Sequence, residues 1–387
     1  MPAAERLRPA TALACAAALL ACSTGRRSVG VRGGATKAHR GVLRETDVVL
    51  ETGALTGIVD HVPADLTVTV AAGTGLAELR DILGAAGQFL PIDPPHVSRG
   101  ATVGGVIAAN SSGFARYRYG GVRDLLIGLR VALPDGNVVQ SGGRVVKNVA
   151  GYDLNKLFTG SRGTLGVIVE ATFKVLPSPP VTAGARATFR SSTDAFAAAD
   201  ALVRTSVRPT ALVIERIGDE PAWQLTLAAA GERPPVDRAV AELARVSTER
   251  GVHTEAIANV DEALDALREI VDQTATGIIV RAVLPPSAQD AFSSAAAKSD
   301  VMRRIVADAA SGIVHVQLAG DDASLVRAAD ALMANARVLG GAARIERSQP
   351  RLPAFAEPAP PGAFLMRRIK DAFDPMGILE PARSAIG

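Results

Sequence analysis

Three loops built from glycine and other small residues constrain this chain most. "VRGGATK" covers 31–37, "TVGGVIAANSSG" covers 102–113, and "KNVAGYDLNKLFTGSRGTLGVI" covers 147–168. Each stands beside a short apolar run of strand character. Consecutive glycines allow backbone N–H groups to converge on an anion, and Thr36 and Lys37 add donors. Gly104 and Gly105 permit close backbone approach. Ala108, Ala109, Asn110, Ser111, Ser112 and Gly113 leave room for a flat ligand. Gly160, Gly163 and Gly166 flank Thr164 ahead of a strand. Together the loops point to one large ligand with phosphates and a planar ring.

Other glycine patterns do not compete. "AAGTGLAE" (71–78) follows a strand and opens a helix, but Glu78 stands where a dinucleotide fingerprint needs its third glycine. A carboxylate there would repel a pyrophosphate. No phosphate-binding P-loop sequence occurs. The five histidines are scattered, and no pair has metal-ligand spacing. Aromatic residues make up only 4% of the chain, which argues against stacking platforms for nucleic acid.

Charge is uneven. Residues 1–44 carry eight Arg or Lys and one acid, against a net +3 for the whole chain. A basic region beside a glycine loop suits a phosphate ligand. The same region raises a second possibility. Arg6 and Arg8, an apolar run and Leu19-Leu20-Ala21-Cys22 resemble an export signal with a lipoprotein cleavage site. The alternative is a helix over 9–22, started at Pro9 and ended at Gly25, that feeds the strand "SVGVR" (28–32). We favour the helix, with Cys15 and Cys22 as packing residues. No run approaches transmembrane length.

The 387 residues suggest more than one domain. Strands are expected at 47–52 and 66–73, a helix at 75–87, a hairpin at 125–143 about Pro134-Asp135-Gly136, and a strand pair or bent strand at 164–177. Pro177-Ser178-Pro179-Pro180 forms a linker. Beyond it the pattern gives strands at 185–190, 211–216, 223–229 and 252–257 with helices at 192–205 and 235–250. A second series has strands at 277–284, 312–320 and 343–348 with helices near 286–310 and 322–337. The two series suggest an internal duplication sharing one antiparallel sheet. A Pro-rich connector (349–362) leads to a terminal helix that stops at Asp374-Pro375.

The succession "RGGATK", "PIDPPHVSRGATVGGVIAANSSG", "YGGVRDLLIGLRVALPDG", "KNVAGYDLNKLFTGSRGTLGVIVEATFKVLP" and "FDPMGILEPAR" resembles the FAD-linked oxidases of the vanillyl-alcohol oxidase (PCMH) type. "DPPH" and "KNVAGYD" resemble most closely the FAD-binding subunits of bacterial glycolate oxidases. The resemblance is strong over 28–180, adequate over 364–383 and thin over 185–348. It implies an α+β fold: a PCMH-type two-subdomain FAD-binding domain (1–180), an α+β cap domain with an antiparallel sheet (181–348), and a connector and helix returning to the first domain (349–387).

The resemblance also implies site residues. Arg32, Gly33, Gly34, Ala35, Thr36 and Lys37, with Thr102, Val103, Gly104 and Gly105, would hold the pyrophosphate of FAD. Asn110, Ser112 and Gly113 would follow the ribityl and ring region. Gly163, Thr164, Gly166, Val167 and Ile168 would line the opposite wall. Asp93 and Pro94 would turn the chain toward the flavin, and Asp124 would be structural. Members that tether FAD use a histidine in the first loop, where Ala35 and Thr36 stand here, so the expected FAD is non-covalent. Catalytic members carry clustered histidines in the cap. Only His315 remains, in "GIVHVQLAGDDA", and it alternates like a strand residue. His96 is the one candidate for a catalytic group. Glu380-Pro381-Ala382 replaces the family's Asn-Pro-Gly.

Three functions follow from the resemblance. The first is the FAD-binding subunit of a glycolate oxidase complex, partnered by a homologous FAD-linked catalytic subunit and an iron–sulfur subunit. Two cysteines cannot hold a four-cysteine cluster, so that cluster would lie in a partner. The second is a self-sufficient FAD-dependent 2-hydroxy-acid dehydrogenase. The third is a non-catalytic assembly subunit with a vestigial cleft. The expected location is cytoplasmic, or peripheral at the inner face of the membrane through partner subunits.

Overall fold

The computed structural model describes residues 4–37, 45–143, 153–218, 222–272, 277–347 and 362–380. It divides into two compact units: 1–112 with 120–178 and 356–387, and 113–119 with 179–355.

In the first unit, strands β1 (Glu5–Leu7), β2 (Val29–Arg32) and β3 (Val48–Glu51) form a parallel sheet in the order β1-β3-β2. Strands β4 (Ile58–Val62) and β5 (Thr67–Ala71) follow. The short β6 (Gln88–Phe89), β7 (Leu126–Ala132), β8 (Val138–Gly142), β9 (Val167–Lys174) and β10 (Leu176–Pro177) complete the unit. A five-stranded antiparallel sheet runs β4-β5-β9-β7-β8, and β6 pairs with β10. The 164–177 segment is thus one eight-residue strand and a short second one.

Alternation along β9, offset by one residue where its register with β7 shifts between Arg130 and Val131, puts its side chains into two cores. Val167 and Val169 pack with the helix Ala12–Thr24 and the parallel sheet. Ile168, Ala171 and Phe173 pack under the helices Leu76–Ala85 and Val103–Ala108. The first of these helices buries Leu76, Leu79 and Leu83 along one stripe.

The N-terminal segment is part of this architecture. The helix begins at Ala12 rather than at residue 9, because the Thr11 hydroxyl accepts the Ala14 N–H at 3.1 Å and caps it. Upstream, β1 pairs with β3, and Arg6 and Arg8 both bond Glu51. Arg27 bonds Glu5. The basic excess is therefore consumed largely in local ion pairs and does not form one phosphate-facing patch. Residues 38–44, with two further bases, lie outside the described residues.

The second unit holds β11 (Val181–Phe189), β12 (Ala211–Ile217), β13 (Trp223–Gly231), β14 (Thr254–Ala256), β15 (Ile278–Val283), β16 (Met302–Asp308), β17 (Ile313–Leu318) and β18 (Ala342–Arg347). They form one antiparallel sheet in the order β14-β11-β13-β12-β16-β17-β15-β18. Each half runs strand, helix, strand, strand, helix, strand. The halves meet at their second strands, β12 and β16, so the sheet order of one mirrors the other.

This repeat corrects the helix expected near 286–310. The helix is only Gln289–Ala296, and Met302–Asp308 is a strand. Lys298-Ser299-Asp300 breaks the helical pattern, and the apolar Ile305-Val306-Ala307 run is a buried central strand, not a helix face. One face of the sheet packs on the helices Ser192–Val203, Arg233–Thr248, Gln289–Ala296 and Asp322–Val338.

Candidate functional site

The first unit contains a partly open cleft that encloses about 90 Å³. One wall is the end of β2 with the loop 33–37. Another is Thr102 with the helix Val103–Ala108. A third is Arg162, Gly163 and the entry to β9.

Most of the expected ligand residues meet there. Arg32, Gly33, Gly34, Ala35, Thr36, Lys37, Thr102, Gly104, Gly105, Gly163, Gly166, Val167 and Ile168 all line it. Others stand apart from it. Val103 is buried, and its N–H donates to the Thr74 carbonyl at 3.0 Å. The Thr164 hydroxyl donates to the Ser161 carbonyl at 2.7 Å. The Ser112 hydroxyl accepts the Val122 N–H at 3.3 Å. Asn110 is exposed with a left-handed φ of 45°. Gly113 belongs to the segment 113–119 of the second unit. Asp93 and Pro94 do not line the cleft, although the neighbouring Pro95 carbonyl accepts Lys37 Nζ at 3.2 Å. Asp124 accepts the Gly121 N–H at 2.8 Å, a purely local tie. Residues 144–152, which include most of "KNVAGYD", and His39 lie outside the described residues.

His96 is fully buried, has a left-handed φ of 70° and does not line the cleft. Its carbonyl accepts the Arg99 and Ala101 N–H groups at 3.2 and 3.0 Å, which turns the chain toward Thr102. The arrangement organises a loop and offers no exposed base.

The paired glycines have a reason that sequence reading missed. A Cβ on Gly33 would stand 2.3 Å from Thr102 Oγ1, and one on Gly34 would stand 1.8 Å from the Gly100 carbonyl oxygen. A Cβ on Gly104 would meet Ala72 Cβ at 2.8 Å. The glycines let the loops pack on each other, and the cleft is what that packing leaves. Ala108 and Ala109, read from the sequence as leaving room for a flat ligand, also line it, and three lining residues were not expected from the sequence: Val31, Thr52 and Arg162. Arg162 had a signal, since it sits between small residues of the third loop. It and Gly163 both take left-handed φ values, 56° and 80°.

The donor set suits an anion. Among the described residues, the N–H groups of Gly34, Ala35 and Thr36 donate to no backbone carbonyl, and Ala35 is held at φ 54°. Successive free N–H groups in such a loop make an anion-binding concavity. Lys37 supplies a largely buried cation beside them. Small side chains at Ala108, Ala109, Gly163 and Gly166 leave room for a flat group.

Comparison with known proteins agrees with this donor set. The family model described as "FAD binding domain" matches residues 3–142. Residues 3–142 thus carry an FAD-binding domain. The solved structure of p-cresol methylhydroxylase with substrate bound shares the fold at a TM-score of 0.77 and 17% identity, covering 98% of this chain and 88% of that one. The glycolate oxidase subunit GlcE of Escherichia coli (strain K12) is 43% identical over 134 residues, 35% of this chain and 38% of the relative. The glycolate oxidase subunit GlcD of Bacillus subtilis (strain 168) is 38% identical over 162 residues, 42% of this chain and 34% of the relative. The matched segments span little more than a third of the length of these two relatives.

FAD is the cofactor of this domain, and the cleft residues fit it. The Gly33–Lys37 loop offers donors for the diphosphate, and the small-residue walls leave a slot for a planar ring. When bound, FAD supplies a two-electron acceptor. Among the described residues no helix is long and apolar enough to cross a membrane, and no cluster of three or more metal-ligating side chains occurs.

Proposed function

We propose that this chain is the FAD-binding subunit of a glycolate oxidase-type complex, which oxidises glycolate or a related 2-hydroxy acid to the 2-oxo acid. The observation that carries the reading is the anion-loop cleft in a domain that is 43% identical, over 134 residues, to a glycolate oxidase subunit. The FAD is held non-covalently, because Ala35 and Thr36 offer no side chain for a covalent link. A homologous FAD-linked subunit supplies the substrate site, and an iron–sulfur subunit carries electrons onward. The complex sits in the cytoplasm or against the inner face of the membrane through those partners.

A second reading, a self-sufficient 2-hydroxy-acid dehydrogenase, is favoured by one observation in the second unit. His315 Nε2 lies 3.1 Å from Glu346 Oε2, and the Glu346 side chain is fully buried. Arg281 is the cross-strand partner of His315. A carboxylate fixes the orientation of the imidazole, and an arginine beside it suits an acid substrate. In that reading His315 accepts the hydroxyl proton and Arg281 binds the carboxylate.

The test is to purify the chain alone and with co-expressed partners, then assay bound flavin and its bleaching by glycolate and D-lactate. Bleaching only in the assembled complex supports the subunit reading. Bleaching by the lone chain that His315→Asn abolishes supports the second. A chain that takes up no flavin under any condition rejects both and leaves a vestigial cleft.

A further inference from the structure

Glu380 reaches the flavin loop from a site far along the chain. Residues 378–380 add to the open edge of β2. Val29 N–H donates to the Ile378 carbonyl at 2.8 Å, and Glu380 N–H donates to the Val29 carbonyl at 2.9 Å. The next donor on that edge is the Val31 N–H, and the Glu380 carboxylate takes it at 2.6 Å. The same oxygen accepts Arg32 Nη1 at 2.7 Å. Arg32 Nη1 also donates to the Val31 carbonyl at 2.8 Å, so the guanidinium lies back along its own strand.

The carboxylate is nearly buried, with 5% of its side chain exposed. Its backbone has a left-handed φ of 39°, a conformation that persists in a residue other than glycine only when its surroundings hold it there. A Cβ on Gly163, a cleft residue, would lie 3.5 Å from Glu380 Cγ. A buried carboxylate therefore stands behind a cleft built to receive an anion. It would repel a diphosphate unless compensated, and Arg32 compensates it.

We infer that Glu380 is a positioning residue for the flavin loop. It fixes the end of β2, from which Gly33–Thr36 departs, and it neutralises Arg32. The loop N–H groups and Lys37, and not Arg32, then meet the diphosphate. The inference rests on FAD as the ligand of the cleft.

The test uses the full chain. FAD is titrated into flavin-free protein by fluorescence quenching at several salt concentrations, and amide hydrogen exchange is followed with and without FAD. Glu380→Ala is expected to weaken FAD binding about tenfold or more, because a charged hydrogen-bond acceptor is lost. It should also speed exchange over 29–37 while leaving β9 protected. Glu380→Gln keeps an acceptor for the Val31 N–H but frees the charge of Arg32. It should preserve protection over 29–37 and make FAD binding fall more steeply with salt. Wild-type affinity and exchange in Glu380→Ala would overturn the positioning role, as would faster exchange spread evenly over the unit. An unaltered salt dependence in Glu380→Gln would overturn the neutralisation. If the wild-type chain takes up no FAD, the cofactor assignment fails, while exchange over 29–37 still judges Glu380.

Discussion

Gly34 packs against Gly100 so closely that a Cβ on it would stand 1.8 Å from the Gly100 carbonyl oxygen. A backbone carbonyl cannot swing aside as a flexible side chain can. Gly34→Ala must therefore part the first loop from the segment that leads into Thr102. The expected cost is about 1–3 kcal/mol of stability, typical of overpacking, together with loss of bound FAD. Gly53→Ala is the control, since a Cβ there meets nothing within 4 Å. Urea unfolding and flavin content per chain measure both. Equal flavin content in the two variants would refute the argument.

Lys370 joins three parts of the first unit. Its Nζ donates to the Thr164 carbonyl at 2.7 Å and the Leu379 carbonyl at 2.9 Å, and it pairs with Asp374. The Asp374 side chain is fully buried and also accepts the Ile378 and Leu379 N–H groups at 3.1 and 2.8 Å. Lys370→Met leaves that carboxylate buried without its cation. Breaking a buried pair in this way costs about 3–5 kcal/mol. Lys370→Met with Asp374→Asn should recover part of the loss, as read from denaturant midpoints. A double variant no more stable than Lys370→Met alone would show that the pair is not coupled.

Burial pushes the Cys15 thiol up to about 12 from its ordinary 9.0, and pushes Cys22 upward as well. Folding thus favours the protonated thiol. Where the folded value is raised, the stabilisation is complete below the unfolded value and is lost as pH rises from there through the folded value. Stability should therefore fall above pH 9.0, by up to about 1.4 kcal/mol per pH unit for each thiol. Replacing both cysteines with alanine should flatten that part of the profile. A thiol reagent at pH 8 should label the native chain only as fast as it opens, whereas rapid labelling of Cys15 would contradict its burial.

How much of this was legible in the sequence depends on the range of the interaction. The glycine loops, the Ala12–Thr24 helix and the strands about the linker carry local signals, and the cleft brought most of the expected residues together. The strand Met302–Asp308 was missed because a short buried apolar run has no period that separates strand from helix. Gly33, Gly34 and Gly104 were read only for their backbone approach to a ligand, and their packing on Thr102, Gly100 and Ala72 had no local signal because those neighbours lie tens of residues away. Glu380 was visible only as a departure from a family pattern. Its partners, Val31 and Arg32, are almost a full chain length distant, and no local rule connects them.

The N-terminal helix offers the last prediction. Thr11 adopts an extended backbone with its hydroxyl on the Ala14 N–H, and Gly25 closes the helix with N–H donation to the Ala21 carbonyl. The helix has no acidic residue in its first turn, so the Thr11 hydroxyl is its main device for satisfying the first free N–H groups. Thr11→Ala should cost about 1 kcal/mol, and Thr11→Asp should recover it with a gain from the helix dipole. Because the helix buries Cys15, Leu19 and Cys22 against β9, the loss should appear in the global unfolding transition as well as in local fraying. Thermal melting of the three proteins decides the point, and a Thr11→Asp variant weaker than Thr11→Ala would reject the capping account.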